Sequence, residues 1–196
     1  MCDVLNIGWN VMKQIMSRYI YVDNSNVFIE GKRVSAVDKG LSLDIFEATK
    51  NKILDDEYRI DFGKLHTFLL DGDPSGIKKA ILFGSRPPAK DSLWSMARKA
   101  GFDPKIEDRN FANQEKRIDT GITSAMMRDA YTAIDKEKDL IVLVAGDGDY
   151  IPPVETLIDD GYKIEVVFWN HASSDLKTAC NSFRSLDSHL KDLQFS

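Results

Sequence analysis

Five consecutive aliphatic residues, Leu140-Ile141-Val142-Leu143-Val144, offer no polar side at all. A strand with one wetted face alternates apolar and polar residues, so an unbroken β-branched run of strand length describes a strand covered on both faces. Such strands belong to parallel sheets flanked by helices. Tyr19-Ile20-Tyr21-Val22, Lys79-Ala80-Ile81-Leu82-Phe83 and Ile164-Glu165-Val166-Val167-Phe168 read as further strands, and Asp103 to Glu107 as a weaker one. The segments between them have helical spacing. Asp61 can cap a helix carrying Phe62, Leu65, Phe68 and Leu69, stopped by Gly72 and Pro74. Ser92 to Ala100 presents Leu93, Trp94 and Ala97 before Gly101, and a stripe of Ile122, Ala125, Met126, Ala130 and Ala133 opens at Asp119. Pro152 suits a first helical turn leading through Val154, Leu157 and Ile158 to Gly161, and a last helix is predicted from about Ser174 to Leu190. Residues 31–60 are less periodic, with a helix expected around Leu43 to Leu54. The pattern predicts an α/β fold: a three-layer α/β/α sandwich around a central, mainly parallel sheet.

A chain of 196 residues suits one domain, here 19–190, with an extension at 1–18 and a tail at 191–196. The extension reads either as a short docking helix or as residues ahead of the true start, since Met12 and Met16 precede the first strand. It lacks the basic start, apolar middle and small-residue cleavage site of a secretory signal. No apolar run approaches the roughly 18 to 20 residues of a membrane span, so no membrane partner is expected. Cys2 and Cys180 stand alone, without metal-ligand or disulfide spacing, and a reducing cytoplasm is the expected location. The net charge of −5 argues against a protein that coats DNA through many phosphate contacts. It leaves room for a nucleic-acid enzyme with an acidic centre and a basic rim.

Open parallel sheets bind ligands outside the carboxyl ends of their strands. Acids stand at those ends here. Asp23-Asn24-Ser25-Asn26 follows the first strand, where turn formation and helix capping account for the residue types as well as function does. Gly146-Asp147-Gly148-Asp149 follows the most apolar strand. Two carboxylates about 4 Å apart in a medium of dielectric about 20 repel by roughly 4 kcal/mol, a cost that a divalent cation offsets. Asp119 reads alone as a helix cap, and only convergence with the other acids promotes it. Asp129 lies about 15 Å further along the same helix and is left out of the centre. Oxygen donors without His or Cys select Mg²⁺ or Mn²⁺ over zinc. The chemistry such a centre suits is hydrolysis of a phosphodiester. Ser85-Arg86, Arg109-Asn110 and Lys116-Arg117 supply a phosphate-binding rim, with Arg86 and Lys116 the foremost contacts. Tyr150 and Trp169, just past strand ends, are candidate platforms for bases.

Tyr21-Val22-Asp23-Asn24-Ser25-Asn26, Glu115-Lys116-Arg117-Ile118-Asp119-Thr120 and Val144-Ala145-Gly146-Asp147-Gly148-Asp149-Tyr150-Ile151-Pro152 together resemble the NYN domain, a family of the PIN-like nuclease superfamily. The resemblance runs from about residue 19 to 190. It implies a PIN-like, Rossmann-like fold and a Mg²⁺- or Mn²⁺-dependent endoribonuclease. Asp23, Asp119, Asp147 and Asp149 then become the catalytic and metal-holding acids, and Asn24, Ser25, Asn26, Arg86 and Lys116 the substrate-binding residues. RNA is the implied partner, with single strands and self-association both left open. Two departures from the family pattern stand out: Ala125 and Met126 lie where many relatives carry an acid, and Asn181 where an aspartate is frequent.

Rival readings are weaker. A metal-dependent adhesion domain matches Asp23 and Ser25 but has Val27 where a hydroxyl is required. A haloacid-dehalogenase-like, metal-dependent phosphatase suits Gly146 to Asp149, yet it needs an acid where Ser25 stands. No GxxxxGK[ST] or GxSxG motif occurs, and His66, His171 and His189 sit in no triad context, reading instead as surface or packing histidines. A non-catalytic RNA-binding or regulatory module with the same fold is the main alternative to an enzyme.

Overall fold

The computed structural model describes residues 16–72, 76–86, 92–108 and 115–196, with the side chains of 86, 107–108 and 115–117 outside that description. Six strands, β1 (Ser17–Asp23), β2 (Ile77–Arg86), β3 (Asp103–Asp108), β4 (Asp139–Val144), β5 (Ile164–Phe168) and β6 (Ser182–Ser185), form one sheet in the order β3-β2-β1-β4-β5-β6. Every pairing is parallel. The helices are α1 (Asn24–Asp38), α2 (Ile45–Lys50), α3 (Phe62–Leu70), α4 (Ser92–Lys99), α5 (Glu115–Thr132), α6 (Ile151–Asp159) and α7 (Ser174–Ala179).

The period of two along each strand sorts side chains into two cores. Ile20, Val22, Leu82, Val142 and Val144 face Val27 and Val34 of α1, Leu65 and Leu69 of α3 and Trp94 of α4. Tyr21, Ile81, Leu143 and Val166 face Ile122 and Met126 of α5, Val154 and Leu157 of α6 and Leu176 of α7. This is the expected three-layer sandwich. Each fully buried aliphatic side chain contributes about 1.5–3 kcal/mol, which is why a strand as apolar as β4 is driven to the middle of the sheet. Gly84 permits close packing in the first core: a Cβ there would lie 2.4 Å from a ring carbon of the buried Trp94. At α3, the Asp61 carboxylate accepts from the backbone N–H of Gly63 and Lys64 as predicted. Among the described residues no helix is long and apolar enough to cross a membrane.

The Asp23-Asn24-Ser25-Asn26 run follows its capping reading: Asp23 caps α1, which starts directly at Asn24 and continues to Asp38, through the first part of the segment read as irregular. Two sequence expectations are corrected. The predicted helix around Leu43 to Leu54 shortens to α2. The long last helix splits: α7 ends at Ala179, and Ser182–Ser185 add β6 to the sheet edge, followed by a short 3-10 turn at Asp187–His189. Asn181 causes the break. Its side-chain carbonyl accepts from the N–H of Ile164, and its own N–H donates to the Ile164 carbonyl, so the chain is docked on β5 before a helix can continue.

Strand order reverses at β1. The chain moves outward through β2 and β3, then returns on the other side of β1 as β4. The crevice beyond the carboxyl ends of β1 and β4 is the place where open α/β sheets take their ligands.

Candidate functional site

Asp23 is the last residue of β1, and the strand alternation turns it toward α5. Only 5% of it is exposed. One carboxylate oxygen, Oδ1, accepts from the backbone N–H of Asn26 at 3.0 Å and so caps α1. The other, Oδ2, lies 3.1 Å from the hydroxyl of Tyr150, and the same hydroxyl lies 2.9 Å from Oδ1 of Asp119. Strand β1, helix α5 and the loop after β4 therefore meet at one phenolic oxygen. Asp119 reaches this point from the second turn of α5, since the helix begins at Glu115 and not at Asp119 as the sequence suggested. Ile118 and Ile122 on the same helix are buried against the sheet and fix its rotation.

The loop after β4 is tied down on two sides. The Asn26 side-chain carbonyl accepts from Gly146 N–H at 2.9 Å, and the Gly146 carbonyl accepts from Ser173 N–H at 2.9 Å. A Cβ at Gly146 would fall 2.0 Å from the Phe168 ring, so only glycine allows this approach. Asp147 then caps a 3-10 turn at Gly148–Tyr150, its Oδ1 accepting from Asp149 N–H at 3.1 Å. Asp147 and Asp149 are exposed while Tyr150 is fully buried.

Burial is the main reason the Asp23 carboxyl is pushed up to about 6 from an ordinary 3.8; the Asn26 and Tyr150 hydrogen bonds pull it down, and the charges of Asp119 and Asp147 push it up. Burial, followed by the charges of Asp23 and Asp119, raises the Tyr150 phenol above its ordinary value, so it stays protonated. A phenol has one proton. It faces two carboxylates here and cannot donate fully to both.

The family model for the NYN domain matches residues 19–187. The chain belongs to the NYN domain family. That places it at the level of the PIN-like nuclease superfamily. No curated protein matches the chain. Among solved structures, a protein of unknown function from Vibrio parahaemolyticus is similar, with a TM-score of 0.65 and 17% identity over 93% of this chain and 98% of that one. At that identity the likeness concerns the fold.

Within this NYN domain the donor set at the crevice is all oxygen: Asp23, Asp119 and Asp147, with the exposed Asp149 beside them. That chemistry fits a hard divalent cation, and so does a buried carboxylate facing a second one across a single proton. Asp23 and Asp119 could hold such an ion between them. Asp147 acts on Asp23 through charge rather than contact. Among the described residues no three His, Cys, Asp or Glu side chains converge tightly enough to share one ion directly. Ala125 and Met126 are buried in the core under α5, so neither position adds a ligand. Asp129 lies apart from this centre, bonded to Tyr21 and paired with Lys79.

Asn24 and Ser25 are half-buried on the first turn of α1. Arg86 ends β2 and Lys116 lies in the first turn of α5, but their side chains, like Arg109, Asn110 and Arg117, fall outside the described ones. Tyr150 and Trp169 are corrected as base platforms: both are fully buried, Tyr150 between the acids and Trp169 donating its ring N–H to the Val27 carbonyl. Two features were missed in the sequence. Tyr150 joins the acids, and Glu30, one turn beyond Asn26 on α1, holds His171 Nε2 at 2.7 Å while also pairing with Arg33. This bond braces the loop after β5 against α1, on the same side as the Asn26–Gly146 link. His66 and His189 pack on Phe102 and Phe68, away from the crevice.

Proposed function

We propose that this NYN domain is a Mg²⁺- or Mn²⁺-dependent endoribonuclease that hydrolyses RNA phosphodiester bonds in the crevice beyond β1 and β4. The observation that carries the reading is the buried Asp23 carboxylate facing Asp119 across one tyrosine proton, within range of the Asp147 charge. A cluster of negative charge built at a topological switch point costs stability when empty, and a divalent cation converts it into a phosphate-binding site.

Asp23 and Asp119 would hold the cation, with Asp147 and Asp149 joining through water. When bound, a divalent ion supplies a water of lowered pKa and positive charge opposite the scissile phosphate. Asp23 is held for this by Asn26 N–H on one oxygen and Tyr150 on the other. Asn26 positions the acidic loop through Gly146. Arg86 and Lys116 would seat the RNA backbone at the rim, and Asn24 and Ser25 would contact it at the first turn of α1. Hydrolysis adds one water across a P–O bond and leaves one new phosphate end and one new hydroxyl end. The cytoplasm is the proposed location.

One observation favours the second reading, an RNA-binding or regulatory module without turnover: no three acids among the described residues meet at a single ion. The deciding experiment is incubation of purified protein with single-stranded RNA in Mn²⁺ or Mg²⁺, with EDTA and Asp147→Asn controls. Metal-dependent cutting lost in both controls supports the nuclease; RNA binding with no cutting by the unaltered protein supports the module.

A further inference from the structure

Tyr150 touches two of the site acids with one hydroxyl, Asp23 at 3.1 Å and Asp119 at 2.9 Å. It does so from complete burial, and its backbone is fixed by the turn that Asp147 caps. Asp23 belongs to β1 and Asp119 to α5, whose neighbouring residues Tyr21, Ile118, Ile122 and Met126 are buried in one apolar cluster. Apolar packing sets the spacing of strand and helix but does not by itself define how a carboxylate turns about its terminal bond, which has broad rather than sharp preferences. A rigid, buried phenol within hydrogen-bond distance of both acids, sharing its one proton between them, restricts that freedom. For Asp23 the two oxygens have separate partners, Asn26 N–H and the Tyr150 hydroxyl, so the plane of the carboxyl group is defined.

We infer that Tyr150 is a positioning residue for a divalent cation: its hydroxyl orients Asp23 and Asp119 together, so that lone pairs not used by the phenol face the same crevice. This rests on the metal-centre reading above. The hydroxyl does not touch the ion or the substrate; it acts through the two acids. Outer partners of this kind typically change metal affinity by about 10- to 100-fold when removed. Nothing in the apolar surroundings of the ring requires an oxygen there, since Val154, Leu157 and Leu176 are buried in the same cluster as Tyr150. Phenylalanine fills the same space without the bond.

The test is titration of Mn²⁺ alone into the full chain and into Tyr150→Phe, by calorimetry at near-neutral pH, with far-ultraviolet circular dichroism of both. The inference expects unaltered secondary structure and Mn²⁺ binding weakened by about tenfold or more in the variant. A variant that binds Mn²⁺ as tightly as the unaltered chain, or more tightly, overturns it, because the hydroxyl is then either irrelevant to the acids' orientation or a competitor for their lone pairs. If Tyr150→Phe fails to fold, Asp119→Asn provides the second variant: it keeps an oxygen for the phenol to bond, and the inference expects its carbonyl to remain placed and Mn²⁺ binding to weaken less than in Asp119→Ala. Equal loss in those two variants overturns it. Failure of the unaltered chain to bind Mn²⁺ at all refutes the metal centre itself, a result distinct from normal binding in both proteins.

Discussion

Replacing Asp23 by asparagine should stabilise this protein at neutral pH. The carboxyl group moves from an ordinary 3.8 to about 6 on folding, chiefly because it is buried. That displacement corresponds to about 3 kcal/mol. A group with a raised folded-state pKa binds its proton more tightly in the folded chain, so the stability it contributes is fully present below 3.8 and is lost as the pH rises through about 6. Above that window the unaltered chain carries the whole cost. The asparagine side chain removes it without removing the local bonds. Its carbonyl can accept from Asn26 N–H, keeping a cap of equal quality. Its amide can donate to the Tyr150 oxygen, which then gives its own proton to Asp119. The Asn26 N–H, the Tyr150 oxygen and the Asp119 carboxylate each keep a partner. In EDTA at about pH 7.5 the variant should gain about 3 kcal/mol, read as a melting temperature higher by about 6 to 12 °C for a chain of this size. Near pH 4 the difference should shrink toward zero. Added Mn²⁺ should raise the melting temperature of the unaltered chain and not that of the variant, because only the former has a ligand to gain. A difference that stays constant between these pH values, or a less stable variant at neutral pH, would refute the reasoning.

Asp147 is exposed and its capping bond to Asp149 N–H can be made by an amide, so Asp147→Asn should change stability by no more than about 0.5 kcal/mol while abolishing metal-dependent RNA cleavage; a large drop in melting temperature would mark it as structural instead. Asn26→Ala strips the N–H of the buried Gly146 of its partner and should cost about 1–3 kcal/mol in a urea titration, with cleavage reduced alongside. Gly146→Ala forces a methyl group against the buried Phe168 ring and should cost at least about 1–3 kcal/mol; an unchanged denaturation midpoint would show that loop and ring do not meet as described.

The sheet was legible where burial and sequence agree. β5 matches its sequence boundaries, and β4 differs by one residue, because a five-residue aliphatic run has few other ways to leave water. β6 was not legible. Ser182-Phe183-Arg184-Ser185 is too short and polar to signal a strand, and it is recruited by the edge of β5 through Asn181, a contact that no local pattern encodes. The start of α1 was hidden by its composition, since Asp, Asn and Ser serve equally in a turn and in a first helical turn. The start of α5 was misplaced by one turn for a related reason: Asp119 has the chemistry of a cap, but its side chain is directed at the sheet end while the helix begins before it.

The electrostatic cost of the site falls on a different pair of acids from the one the sequence pointed to. Asp147 and Asp149 are two residues apart, and their proximity in the chain suggested a repulsion that only a cation could offset. In the structure both are exposed, and the Asp147 side chain is bonded to Asp149 N–H, so water screens much of that repulsion. The costly charge is Asp23, whose neighbours Asp119 and Tyr150 are far away in sequence and whose access to water is nearly closed. A like-charge contact is expensive in proportion to its burial rather than to its closeness along the chain. Tyr150 is the residue that creates the condition. Its ring buries the acids' meeting point, and its single proton partly offsets the charge enclosed there. The Gly146-Asp147-Gly148-Asp149 motif is therefore informative chiefly for the residue it precedes: Gly146, packed on Phe168, and the capping Asp147 shape a turn that delivers Tyr150 to the end of β1.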